Sequence, residues 1–179
     1  MKPAASYNDF MLILNINGPI NAGKTTVSGI LEKILPDSLF VEVDNLLTDE
    51  EEDRLGLSME AGWKERVDRL EKIILQKKAD KTCRVLIFAY PVTRENFNRW
   101  KGYEDDRTRF VNITLSPSLE KCLTNRGTRE LTEWELSRIR QMYEEHYHDP
   151  DFSDLIIHND GQTPEQTARL ILDFLKESA

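Results

Sequence analysis

A chain of 179 residues and 20.8 kDa is about one domain's worth of polypeptide, long enough to bury a core without disulfide or metal staples. Its 39% hydrophobic and 31% charged residues are a globular mix, which excludes a disordered or fibrous chain. The net charge of −8 excludes a broadly basic nucleic-acid surface, leaving only a narrow groove open, and no apolar run approaches the roughly 18 residues of a membrane span.

Strands and helices alternate along the chain. Residues 11–16 (MLILNI) form a short apolar run ending at Gly18-Pro19, the pattern of a strand buried on both faces of a parallel sheet. Residues 25–35 place Val27, Ile30, Leu31, Ile34 and Leu35 on a helical stripe stopped by Pro36. Residues 39–43 (LFVEV) read as a second strand ending at Asp44, and the acidic run 48–53 as a solvated connection or helix start. Trp63, Val67, Leu70 and Ile74 recur at helical spacing within a helix over 62–77. A third strand at 85–89 (VLIFA), a short helix over 93–100 and a fourth strand at 110–115 follow. Ser116-Pro117 is expected to open a helix reaching about Arg126. Thr132 and Glu135 form a capping box for a helix to about Tyr147. A short strand at 155–157 precedes a last helix, opened by Thr163-Pro164-Glu165-Gln166 and burying Ala168, Ile171, Leu172 and Leu175. No repeat, low-complexity tract or Gly/Ser linker interrupts the pattern, which predicts one α/β layered domain with a largely parallel sheet. Cys83 and Cys122 form no CxxC pair and read as free thiols of a reducing compartment. The start has no signal-peptide cleavage site, so the expected location is cytoplasmic.

Gly18-Pro19-Ile20-Asn21-Ala22-Gly23-Lys24-Thr25 fits G-x-x-x-x-G-K-[ST] at every fixed position, leaving a buried strand and entering a helix. Gly18 and Gly23 let the backbone curl so that successive N–H groups point at a polyphosphate, and the positive end of the next helix adds to that field. The candidate nucleotide-binding residues are Gly18, Asn21, Ala22, Gly23, Lys24, Thr25 and Thr26. Lys24 is placed to reach the β- and γ-phosphates, and Thr25 to offer its hydroxyl to Mg²⁺.

With this loop in place, the chain resembles the small P-loop kinases of the shikimate-kinase, gluconate-kinase and chloramphenicol-phosphotransferase-like group over most of its length. Their fold is similar to that of the nucleoside monophosphate kinases. The resemblance implies a P-loop NTPase three-layer α/β/α sandwich with a five-stranded, mostly parallel sheet. It also implies an acceptor-binding helical region at about 45–80 and a small lid at about 124–134. The implied activity is transfer of the γ-phosphate of ATP to a hydroxyl of a small molecule, with ATP and Mg²⁺ as cofactors.

Alternation places Glu42 and Asp44 on one face of the second strand. In the resemblance, Asp44 orients the acceptor hydroxyl and takes its proton, while Glu42 holds a magnesium-bound water. The bland alternative is a strand end returning to solvent. Arg126 and Arg129 flank Gly127 in NRGTRE. The resemblance makes this the lid, with Arg126 near adenine or the phosphates and Arg129 closing over the transferring group. The alternative is a helix C-terminus attracting positive charge.

The chain also departs from the group. The third strand ends Phe88-Ala89-Tyr90-Pro91 without the aspartate that holds Mg²⁺ in many P-loop ATPases, which fits a kinase using the second-strand acid better than a motor-type ATPase, and the glycine triplet that shikimate kinases carry there is absent, which argues against shikimate as acceptor. Tyr90 reads equally as pocket lining or as a strand-end aromatic, Trp63 as core, and Arg66 as part of a solvated helix face, with substrate contact as its alternative. Glu65 and Arg69 make an ordinary i,i+4 pair, and Arg138 and Arg140 are assigned to surface ion pairs. Two other functions share the loop. A guanine-nucleotide switch has only Asp53-Arg54-Leu55-Gly56 as a D-x-x-G and no N-K-x-D, and a polynucleotide or RNA-end kinase lacks an aromatic-basic stripe. Nothing in the pattern specifies the acceptor or the oligomeric state.

Overall fold

The computed structural model describes residues 10–125 and 130–178. Five strands, β1 (Met11–Asn17), β2 (Ser38–Val41), β3 (Val85–Ala89), β4 (Thr108–Leu115) and β5 (Leu155–Ile157), form one sheet in the order β2-β3-β1-β4-β5. Every neighbouring pair is parallel. The central strand has Leu14 in register with Ile87 on one side and Val111 on the other, which explains its near-continuous apolar run.

Helices α1 (Lys24–Ile34), α2 (Asp49–Leu55), α3 (Met59–Asp80), α4 (Arg94–Lys101), α5 (Leu119–Cys122), α6 (Glu133–Glu144) and α7 (Pro164–Glu177) connect and flank the strands. Alternation along the strands divides the interior into two cores. Ile13, Leu86, Phe88 and Phe110 pack with Val67, Leu70 and Ile74 of α3 and with Trp100 of α4, whose indole meets Phe88 edge-on at 5.0 Å. Leu14, Ile16, Ile87, Val111 and Ile113 pack with Val27 and Leu31 of α1 and Ala168 and Ile171 of α7. Each buried Val, Leu, Ile or Phe side chain among them contributes about 1.5–3 kcal/mol by leaving water. The result is the three-layer α/β/α sandwich expected of the sequence. Cys83 and Cys122 are buried and form no disulfide. Among the described residues, no helix is long and apolar enough to cross a membrane.

Both capping boxes form, at Thr132 with Glu135 and at Thr163 with Gln166, and Pro164 sits in the first turn of α7. Ser116-Pro117 does not open a helix. The Ser116 N–H donates to Ile157 O at 2.8 Å, so the β4–β5 ladder claims it before it can cap. Ser118 caps instead, and α5 is only four residues long. On α7, Leu172 and Leu175 are half-buried rather than buried. The second strand stops at Val41, and Val43–Leu46 coil into a 3-10 turn that drives Val43 inward, followed by the buried Leu47. The acidic stretch is the helix α2, capped by Thr48, and Asp53–Gly56 is its last turn with Gly56 as a left-handed cap.

Candidate functional site

Parallel strands bring all their carboxyl ends to one edge, where α/β folds bind ligands, and the loop from Gly18 leaves β1 there. Gly18 has φ 140°, and a Cβ on it would lie 2.5 Å from Leu115 O, so only glycine fits between the loop and β4. Asn21 (φ 65°) and Gly23 (φ 93°) curl the chain into α1. Asn21 Nδ2 donates to Cys122 O at 2.9 Å and Thr124 O at 3.0 Å, and Asn159 Nδ2 donates to Ala22 O at 3.1 Å, which braces the loop from two sides.

The N-terminus of α1 has no capping side chain and no acidic residue in its first turn. The other six described helices are each capped by a Ser or Thr hydroxyl. The first amides of α1 therefore lack the local acceptor that the others have, which is the condition for receiving an anion. Lys24 Nζ reaches across the loop to donate to Pro19 O at 2.7 Å. Burial lowers its ammonium to about 8, opposed by Cys122, Asp44 and Glu42.

Facing the loop are the two predicted carboxylates. The alternation argument fails, because Glu42 caps the 3-10 turn and Asp44 lies within it, yet both line the same cavity as Lys24 and Thr25. Thr25 Oγ1 donates to Glu42 Oε1 at 2.9 Å. A hydroxyl oxygen beside a carboxylate fits Mg²⁺, which takes one or two protein oxygens and fills its octahedron with water and phosphate oxygens. Among the described residues no cluster of three or more His, Cys, Asp or Glu could hold a metal.

The cavity, about 550 Å³, is lined as well by Trp63, Tyr90, Trp134 and Tyr147 and by Met59 and Met142. Trp63 and Tyr90 pack with centroids 6.2 Å apart. Trp63, expected in the core, is instead half-buried, packs in neither core and lines the cavity. Burial pushes the Tyr90 hydroxyl up to about 12, with Tyr147 and Asp44 adding to it, so it is a hydrogen-bond donor at neutral pH. Beneath this wall, Asn15 and Asn17 of β1 are fully buried. Asn15 Nδ2 donates to Asn112 Oδ1 at 2.8 Å, and Asn17 Nδ2 donates to Thr114 Oγ1 at 2.8 Å. Asn15 Oδ1 and Asn17 Oδ1 accept from Tyr90 N and Val92 N at 3.2 and 2.9 Å, fixing the segment that carries Tyr90 and Pro91.

The structure therefore gathers Asn21, Ala22, Gly23, Lys24, Thr25, Thr26, Glu42, Asp44 and Tyr90 around one cavity. Gly18 stands behind them as the hinge of the loop. Arg126 and Arg129 lie outside the described residues. On either side of them, Leu131 N donates to Asn125 Oδ1 at 3.0 Å. Arg66 is not on a solvated face. It is 8% exposed and bonded to Glu52 Oε2 and Leu47 O, each at 2.9 Å. Arg138 pairs with Glu145 as a surface cation would, yet it also lines the cavity, while Arg140 turns back to Leu136 O. The Asp53–Gly56 turn does not line the cavity. Sequence reading missed Met59, Trp134 and Tyr147. The one available signal was an apolar residue at the start of a capped helix, at Met59 after Ser58 and at Trp134 after Thr132.

No protein-family model matches the sequence, and no curated protein matches it. Solved structures do. A shikimate kinase from Acinetobacter baumannii in complex with shikimate aligns at 20% identity and TM-score 0.60, over 97% of each chain. A gluconokinase from Sinorhizobium meliloti aligns at 15% identity and TM-score 0.65, over 96% of this chain and 94% of its own. The tunicamycin resistance protein of Deinococcus radiodurans aligns at 21% identity and TM-score 0.58, over 92% and 95%. The chain shares the P-loop NTPase α/β/α fold of this shikimate- and gluconate-kinase-like group.

Proposed function

We propose that this chain is an ATP-dependent phosphotransferase that moves the γ-phosphate of ATP to a hydroxyl of a small molecule. The observation that carries the proposal is one cavity shared by two kinds of chemistry. The uncapped N-terminus of α1 with Lys24 and Thr25, the carboxylate of Asp44 and the rings of Trp63 and Tyr90 all line it.

The amides of residues 21–26 hold the triphosphate, and Lys24 follows charge onto the β- and γ-phosphate oxygens as the bond to the leaving oxygen lengthens. The Thr25 hydroxyl, with Glu42 on the water shell, would hold Mg²⁺, which would supply charge neutralisation to the phosphates. Asp44 accepts the hydrogen bond of the acceptor hydroxyl, aims its oxygen at phosphorus, and takes the proton as the new P–O bond forms. Arg126 and Arg129 supply positive charge to the equatorial oxygens and exclude water. Excluding water matters because it competes with the acceptor for the same phosphorus.

The test is acceptor-stimulated ADP formation across hydroxylated metabolites, nucleosides and short oligonucleotides, with acceptor-free hydrolysis subtracted. Lys24→Ala abolishes transfer with the fold retained, and Asp44→Asn lowers kcat by about 10²–10⁴ with little change in ATP affinity. Full activity in the Asp44 variant removes it as base, and tight guanine-nucleotide binding with no acceptor-dependent turnover removes the kinase reading.

A further inference from the structure

The carboxylate assigned to the acceptor hydroxyl rides on a short turn and not on the sheet. Strand β2 leaves its ladder after Val41, and Asp44 is carried by the 3-10 turn Val43–Leu46. Such a turn is a weak platform, because its hydrogen bonds are poorly aligned and its last carbonyls have no partner within it. Val43 and Leu47 are buried, while Asp44 is exposed and lines the cavity.

The last carbonyls are taken by two arginines of α3, the helix that packs along the turn. Arg69 Nη1 donates to Leu46 O at 2.7 Å, and Arg66 Nη2 donates to Leu47 O at 2.9 Å. Arg69 is itself fixed by two carboxylates. Its Nη1 and Nη2 each donate to one oxygen of Glu51 at 2.9 Å, and its Nε donates to Glu65 Oε1 at 2.8 Å. The bond from Arg69 holds the Glu51 carboxyl below its usual range. A guanidinium is planar, so engaging both edges of its fork fixes the nitrogen that grips Leu46. Neither arginine lines the cavity, so the clamp reaches the site through the turn.

From this arrangement we infer that Arg69 is a positioning residue for phosphotransfer: by pinning the Leu46 carbonyl it holds the turn that aims Asp44 at the acceptor hydroxyl. Arg66 serves the same turn at the neighbouring carbonyl. The i,i+4 pair with Glu65 is one of the four bonds that orient the Arg69 side chain, and none of the four reaches residues 18–26. A misplacement of about 1 Å at a reacting group costs up to about 10²-fold, so loosening the turn is expected to cost about tenfold. The inference rests on the phosphotransfer reading with Asp44 as its base, and adds the residue that aims it.

The experiment measures ADP release by the full chain with ATP and Mg²⁺, using whichever of gluconate, shikimate, uridine and a short oligoribonucleotide stimulates it most, with acceptor-free hydrolysis recorded alongside. Arg69→Ala is expected to lower acceptor-dependent kcat about tenfold, with the KM for ATP and acceptor-free hydrolysis each within about twofold. In an Asp44→Asn background the same substitution is expected to lower kcat by less than about twofold, because a residue that acts through Asp44 has nothing left to aim. Arg69→Lys keeps the charge, gives up the fork and loses about threefold; it takes the place of Arg69→Ala in the cycle if that variant does not fold. Lys78→Met breaks a 2.7 Å pair from the same helix to Asp105, outside the turn, and leaves kcat unchanged. A loss that persists undiminished in the Asp44→Asn background, a rise in acceptor KM with kcat unchanged, or an equal loss of kcat in Lys78→Met overturns the inference and leaves phosphotransfer standing. Full activity in Asp44→Asn removes the base and the inference with it, and no stimulated ADP release by the wild type with any of the four probes overturns phosphotransfer and the inference together.

Discussion

Lys24→Met keeps much of the length of the lysine stem while deleting its charge, and the structure sets the sign of the result. The ammonium falls from 10.5 to about 8 because burial disfavours the charged form. That drop corresponds to about 3 kcal/mol of cost for holding the loop's own cation charged at neutral pH. Lys24 as a residue is only half-buried, so solvent screens part of this cost, and the variant loses the bond to Pro19 O, worth about 1 kcal/mol. The net expectation is a gain of about 1 kcal/mol for Lys24→Met near pH 7, or a melting temperature higher by about 2–4 °C.

The pH dependence follows from the same shift. Below about pH 8 both folded and unfolded chains carry the proton and the cost is full. Between about 8 and 10.5 the unfolded chain alone keeps it, so wild-type stability from this group rises with pH and the advantage of Met fades. Urea unfolding of both ligand-free proteins near pH 7 and near pH 10 reads this directly, and a melt with ATP and Mg²⁺ adds stabilisation to the wild type alone. A folded Lys24→Met that is less stable near pH 7, or a difference that does not change with pH, refutes the reasoning.

Gly18→Ala places a methyl 2.5 Å from Leu115 O at φ 140° and is expected to cost about 2 kcal/mol or more in urea unfolding, whereas a change within about 0.5 kcal/mol contradicts the close approach. Glu52→Gln removes the anion beneath buried Arg66, and equilibrium denaturation should show a loss of about 3 kcal/mol; a neutral effect means the pair is solvated. Asn17→Leu strands the Val92 N–H and should lower stability by about 2 kcal/mol in a chemical melt, with a raised acceptor KM because the segment beside Tyr90 loses its anchor.

Periodicity carried most of the fold because the buried strands read as apolar runs and the capping boxes at Thr132 and Thr163 are purely local chemistry. The phosphate loop was equally legible, since its glycines, lysine and threonine are consecutive in the chain. Ser116-Pro117 misled because a tertiary hydrogen bond to β5 outranked a local cap. Glu42 and Asp44 were placed correctly at the strand edge for the wrong reason. Strand alternation ends at Val41, and the inward pull of Val43 and Leu47 sets the turn that presents them. Of the aromatic lining only Tyr90 was legible, because Trp63, Tyr90, Trp134 and Tyr147 come from four separate segments. The partners that neutralise Arg66 and Arg69 lie 14 and 18 residues away on another helix.

The central claim is that the amides of residues 21–26 receive the triphosphate of ATP. Backbone ¹⁵N–¹H resonances of those residues, followed through a titration with ATP and Mg²⁺, test it most directly. Saturable shifts concentrated at residues 21–26, and lost in Lys24→Ala, are the result predicted. Resonances there that stay still at saturating nucleotide, or that move equally in the variant, contradict it.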